Sequence, residues 1–289
     1  ACIFSALCYS EIAAMIPVAG SAYTYTYATM GEFMAWMVGW ILMLEYAIGN
    51  ITVASAWTGY FTQLLKGFKA YLPDFVVNFP IWLRADYRSI AAMCERYGAD
   101  IHDKIPYLFG HIPVAMNLPA MFIVLILTML LVKGVKESTR FASIMVAVNL
   151  LIITSFIVFG AFYVKPEHWV PFAPNGFGGI FMGAFLIFFA YIGFDAISTT
   201  AEETENPQRD LPIGILGTLF ICTVLYIGVA LVLTGTVPFG VIDTQAPIAH
   251  AMSFIGKDWF AGLISVGAVC GLTSVLLIYQ LGTTRILYA

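Results

Sequence analysis

Three carboxylates stand where water should be scarce. Glu11, Glu45 and Asp195 each lie within a long apolar run. A charge at the centre of a bilayer costs at least about 2.5–3.5 kcal/mol, so each should face a protein interior or a watery cavity. Glu11 is followed closely by Pro17, and solvation at a helix end explains it equally well. Glu45 lies well inside its run. Asp195 is the most informative, because it stands in Phe188–Ser198, FFAYIGFDAIS, with Gly193 two residues before it. Glycine costs about 1 kcal/mol in a helix relative to alanine. A lone glycine in an apolar run can serve close helix packing. Beside a carboxylate at mid-depth, it also points to an interrupted helix. Such a break frees carbonyl and N–H groups that can hold the charged ends of a small solute, provided protein or water satisfies them otherwise.

Other chemistries find little support. The four histidines (His102, His111, His168, His250) lie in or near loops, and no paired His/Glu metal motif occurs. No GxSxG or paired-aspartate constellation suggests an intramembrane enzyme. The five cysteines (Cys2, Cys8, Cys94, Cys222, Cys270) form no CxxC, and four of them lie in apolar segments as small packing residues. A retinal protein needs a Schiff-base lysine in its last helix, and the last apolar run has none. A seven-helix receptor rests on the helix count alone. Thirteen Lys and Arg spread over loops make no nucleic-acid surface. Neither a metal nor a cofactor is expected.

The elements that must position these residues are membrane helices. The chain is 61% hydrophobic and 10% charged, against about 25% charged in an ordinary soluble domain. Runs of roughly 20 apolar residues cross about 30 Å of hydrocarbon. The fold class is therefore all-α, a polytopic helical membrane protein. Seven spans are expected: Ala1 to Ile16, Phe33 to Leu65, Asn117 to Val132, Phe141 to Val164, Gly176 to Ala201, Ile213 to Thr234 and Trp259 to Leu281. SAYTYTYATMGE reads as a polar-aromatic connection after the first span. Pro207 and Pro212 read as delimiting a turn. Residues 66–116 form an extramembrane insertion whose RADYRSIAAMCERYGADIHDK places Tyr87, Ile90, Cys94 and Tyr97 on one helical face. It reads as an amphipathic helix on the membrane surface or capping the bundle, or equally as a solvated loop helix. Among the short loops, basic residues favour Lys133, Lys136, Arg140, Arg209 and Arg285 on the cytoplasmic side. The six basic residues of the insertion speak against it. The chain opens without Met or a basic leader, and it reads as a fragment cut inside a helix at each end.

The ordered patterns EIAAMIPVAGSAYTYTYATMGEFMAWMVGW (Glu11 to Trp40), KGVKESTR (Lys133 to Arg140) and FFAYIGFDAISTTAEETENPQRDLPIGI (Phe188 to Ile215) resemble the amino acid–polyamine–organocation superfamily. Within it, they resemble the cationic amino acid transporters and their bacterial relatives. The resemblance covers nearly all of the chain except the insertion. It implies a partial inverted-repeat, LeuT-like transporter bundle. Residues 1–289 would be a single membrane-transport domain holding family helices 2 to 8. The first family helix, which carries half of the head-group site, would lie outside the chain.

The resemblance also implies roles. Backbone groups at Phe189, Ala190 and Ile192, beside Gly193, would hold the substrate amino group, with Phe189 closing over it as an aromatic gate. Asp195 would steady the second half-helix. Glu45 matches a glutamate of the bacterial members that could titrate. Asn149 stands where some proton-coupled members carry a lysine, and Asn cannot cycle a proton. The implied function is secondary active transport of amino acids, by symport or exchange, through alternating access, with protons as a coupling ion. The alternative cargo is a polyamine or another organic cation. The implied partners are an amino acid substrate and the lipid bilayer. The implied location is the plasma membrane, the inner membrane in a bacterium.

Overall fold

The computed structural model describes residues 2–67, 73–77, 80–97, 100, 105–108, 112–242 and 246–288. Among them lie the helices α1 (Cys2–Met15), α2 (Ala22–Met30), α3 (Glu32–Gly67), α4 (Asp74–Val77), α5 (Tyr87–Tyr97), α6 (Leu118–Lys133), α7 (Val135–Ala161), α8 (Gly176–Phe188), α9 (Pro207–Thr236), α10 (Pro247–Phe254) and α11 (Asp258–Tyr288). Two short antiparallel strands, β1 (Tyr107–Leu108) and β2 (Ile112–Pro113), pair Tyr107 with Pro113.

Among the described residues, five stretches are long and apolar enough to cross a membrane: Glu32–Gly67, Arg140–Ala161, Gly176–Glu202, Pro207–Thr236 and Asp258–Tyr288. The first and third expected spans correspond to the shorter apolar helices α1 and α6. Large apolar side chains line the outside of these helices, and α8 buries none of its residues. Such a surface suits hydrocarbon, with backbone polar groups bonded inside the helix.

Local chemistry explains where several helices begin. Asn117 caps α6 by accepting the Ala120 N–H at 3.1 Å, and Pro119 sits in the first turn, where a missing N–H costs nothing. Pro207 opens α9 in the same way. The expected turn between Pro207 and Pro212 is therefore helix, with Pro212 inside it. The expected connection SAYTYTYATMGE is largely α2. Its Thr and Tyr residues are mediocre helix formers, but burial of Tyr25 overrides that tendency, and positive φ at Gly20, Ser21 and Gly31 sets its ends.

The described residues group into two compact units. The first comprises Ala1–Gly49, Thr154–Val241 and Ile278–Ala289. Its core joins Ala6 and Ala13 of α1, Tyr25 of α2, Leu211, Ile215 and Leu219 of α9, and Ala201. Tyr9 stands edge-on to both Tyr25 and Phe194, at ring-centroid distances of 5.8 and 5.5 Å. The second unit comprises Asn50–Ile153 and Ile242–Leu277. Trp57, Ile123, Leu127, Leu276 and Leu277 form its core, and the Trp57 indole donates to the Thr273 hydroxyl at 2.9 Å.

Within the insertion, Ile90 and Cys94 of α5 are buried against Ile105, with Ile81 and Trp82 beside them. Tyr87, assigned from the sequence to the same face, is exposed. The Tyr97 side chain and much of the insertion, including Lys69, His102 and Lys104, lie outside the described residues, as does the Lys136 side chain.

Candidate functional site

The Gly176–Glu202 stretch is not one helix. Regular α-helix ends at Phe188, and a single 3-10 turn follows over Phe189–Tyr191. At Ile192 the backbone becomes extended, with φ −57° and ψ 134°. Gly193 then takes φ +112°, a region that side-chain-bearing L-residues avoid. A second, 3-10 segment runs over Asp195–Glu203. An added Cβ on Gly193 would meet nothing within 4 Å. Close packing within the chain therefore does not require this glycine, whereas the backbone conformation does.

The two sides of the break are held differently. Before it, the Tyr226 hydroxyl of α9 donates to the Ala190 carbonyl at 2.9 Å, and Tyr191 donates to Thr223 at 3.1 Å. The Tyr191 and Tyr226 rings meet edge to face at 5.2 Å. A carbonyl removed from the helical ladder thus finds its donor in a side chain. Phe189 keeps 43% of its surface exposed, and Ala190 is exposed as well.

After the break, Asp195 is buried, with 7% exposure. One carboxylate oxygen, Oδ2, accepts a short 2.7 Å hydrogen bond from the Tyr46 hydroxyl and a longer 3.4 Å one from Ser21. Tyr46 and Ser21 are both fully buried. Ser21 reaches this place from a strained φ of +53°. The resemblance implies that Asp195 steadies the segment that follows it. The carboxylate turns to hydroxyls from α3 and from the chain before α2. Its position in the first turn still suits the positive end of that segment's dipole. Further on, Arg285 of α11 donates to the Thr199 carbonyl at 2.7 Å.

A family model described as amino acid permease matches residues 1–289. The chain belongs to the amino acid permease family. It is 41% identical over 289 residues to the methylthioribose transporter of Bacillus subtilis, covering 100% of this chain and 57% of that protein. It is 42% identical over 290 residues to the branched-chain amino acid permease BcaP of the same organism, again 100% of this chain and 57% of the relative. Cationic amino acid transporter 9, chloroplastic, of Arabidopsis thaliana is 39% identical over 278 residues, 96% of this chain and 45% of that protein. The chain thus spans about half the length of these curated relatives. It is a multi-pass membrane protein of a transporter family.

In this permease chain, the first unit brings Phe189, Ala190, Ile192, Gly193 and Asp195 together with Glu45. Glu45 is half-buried, directly precedes Tyr46 and lies within electrostatic reach of Asp195. Glu11 is exposed on α1. Asn149 belongs to the second unit, where its side chain fills the space over Gly271. A Cβ there would fall 2.5 Å from Asn149 Nδ2. Sequence reasoning missed Tyr46, Ser21, Tyr226 and Arg285. A hydroxyl or guanidinium within an apolar run was the available signal, but only the fold pairs each with its partner.

Proposed function

We propose that this chain is part of a secondary active transporter that moves amino acids across a membrane by alternating access, as a symporter or exchanger. The observation that carries this reading is the interruption at Ile192–Gly193, which takes backbone out of the helical ladder inside a membrane-length apolar segment. The Phe189 carbonyl takes the Ile192 N–H at 3.3 Å and the Ala190 carbonyl takes the Tyr226 hydroxyl at 2.9 Å, but each keeps a second lone pair, so with the backbone of Ile192 they suit a substrate ammonium. In this reading the half-exposed Phe189 ring serves as the gate. Glu45 is the group that exchanges a coupling proton, Asp195 steadies the segment after the break, and Asn149 has no proton to cycle. The plasma membrane is the proposed location.

A second cargo class has a specific observation in its favour. One relative, at 41% identity, is a methylthioribose transporter, so the same scaffold also serves a solute that is not an amino acid. For the organic-cation alternative, the buried acid at the break among the described residues is Asp195, whose carboxylate already accepts from two hydroxyls.

The test is uptake by the full-length protein in proteoliposomes. Labelled leucine, arginine, alanine, methylthioribose and putrescine are each offered, with and without a proton gradient. Gly193→Leu should abolish uptake of the accepted solute while the protein still folds. Uptake by Gly193→Leu at the wild-type rate per folded molecule removes the break from the transport mechanism. Acceptance of putrescine or methylthioribose alone moves the cargo to that class.

A further inference from the structure

The short bond from Tyr46 to Asp195 depends on where the Tyr46 ring is held, and that ring lies over Gly282 and beside the Tyr279 ring, which lies over Gly49. The sequence reads Tyr-x-x-Gly on α3, at Tyr46–Gly49, and again on α11, at Tyr279–Gly282. The two motifs cross antiparallel, each tyrosine lying over the other helix's glycine. A Cβ on Gly282 would fall 2.5 Å from Tyr46 Cε2, and one on Gly49 would fall 2.9 Å from Tyr279 Cζ. The two rings sit 5.6 Å apart, tilted by 53°. Tyr46 is wholly buried and Tyr279 nearly so.

Neither glycine has a positive φ, so backbone conformation does not call for glycine at either position. Each lies inside a helix, where glycine is the poorer choice. What both provide is room for a ring. Carbon atoms pack at about 3.5 Å or more, so a methyl group on Gly282 must displace the Tyr46 ring by about 1 Å. A 2.7 Å bond to Asp195 does not survive that shift with good geometry.

We propose that the paired Tyr-x-x-Gly motifs form a reciprocal lock that positions the Tyr46 hydroxyl on Asp195, making Gly282 a positioning residue for transport. The inference rests on the proposed role of Asp195. The three atoms nearest an added Cβ on Gly282 all belong to the Tyr46 ring, so Gly282 acts through Tyr46.

The experiment is a double-substitution cycle in the full-length protein, reconstituted in proteoliposomes, with the transported solute as probe. Tyr46→Phe keeps the ring and removes the hydroxyl. Losing this short bond and leaving a buried acceptor without it should lower turnover about tenfold or more. Gly282→Ala should lower it comparably, with KM changed by no more than about twofold, since neither residue meets the substrate. In the Tyr46→Phe background, Gly282→Ala should lower turnover no further. A loss that adds to that of Tyr46→Phe shows a packing role alone and overturns the inference. So does wild-type turnover by Gly282→Ala. Wild-type turnover by Tyr46→Phe instead removes the reading of Asp195, and the lock's role in transport with it. Should Gly282→Ala fail to fold, Gly49→Ala carries the same comparison, because its methyl group displaces the Tyr279 ring that packs on Tyr46.

Discussion

Gly193 was legible as a residue and its reason was not. The sequence marks a glycine beside a buried carboxylate and leaves two explanations open, packing and interruption. Backbone angle separates them, because φ +112° with open space around the missing Cβ is a conformational demand. Gly193→Ala should therefore not be mild. It forces an L-residue into a region costing about 1–3 kcal/mol, so a lowered melting temperature and reduced uptake are both expected. An Ala variant with unchanged melting temperature would show that the turn relaxes freely. Asp195 follows the opposite pattern. Its burial was legible, but its partners were not, since Ser21 and Tyr46 are 174 and 149 residues away in sequence. Ser21→Ala removes the longer, weaker bond, and Tyr46→Phe removes the shorter one. Tyr46→Phe should accordingly be the more damaging to uptake.

Among the elements, α5 shows how a short helix outside the membrane is nucleated. Asp86 precedes it and accepts both the Ser89 N–H, at 3.1 Å, and the Ser89 hydroxyl, at 2.5 Å. Partial burial pushes the Asp86 carboxyl up, but the Ser89 bonds outweigh it and hold the group below its usual range. A depressed folded pKa contributes stability that is present above about pH 4, the unfolded value, and lost as pH falls through the folded value. Amide protection of α5 should therefore be level from pH 7 to about pH 4 and decline below that. Asp86→Ala should lower protection at neutral pH and flatten this decline. An unaltered pH profile in that variant would exclude the cap as its source. At α6, Asn117 serves two donors, the Ala120 N–H and the Thr58 hydroxyl at 2.7 Å. Asn117→Ala should cost about 1 kcal/mol or more, read as a lower melting temperature. Apolar runs made the long helices easy to read. They hid α2, because a Thr- and Tyr-rich stretch looks like a loop until a core exists to bury Tyr25.

For the molecule as a whole, composition and motif order were enough to reach the family, since both are spread along the entire chain. The exchange of partners at the break was beyond reach, because it depends on α3, α9 and α11 converging from distant positions. These residues correspond to about half of each relative described above. Proteoliposomes bearing the 289 residues alone should show neither substrate binding by calorimetry nor uptake, while the full-length protein shows both. Micromolar binding by the 289 residues would place the complete site within them.

Gly193 and Gly282 also differ in what genetic variation can do with them. At Gly193 the obstacle is handedness, which every coded replacement shares whatever its size. Substitutions there should fall into one uniformly impaired class, with serine and alanine faring little better than valine. At Gly282 the obstacle is volume, so damage should climb in steps as the side chain grows. A saturation screen for growth on the transported solute would print these two signatures side by side: a flat one for the residue that bends the chain, and a graded one for the residue that makes room.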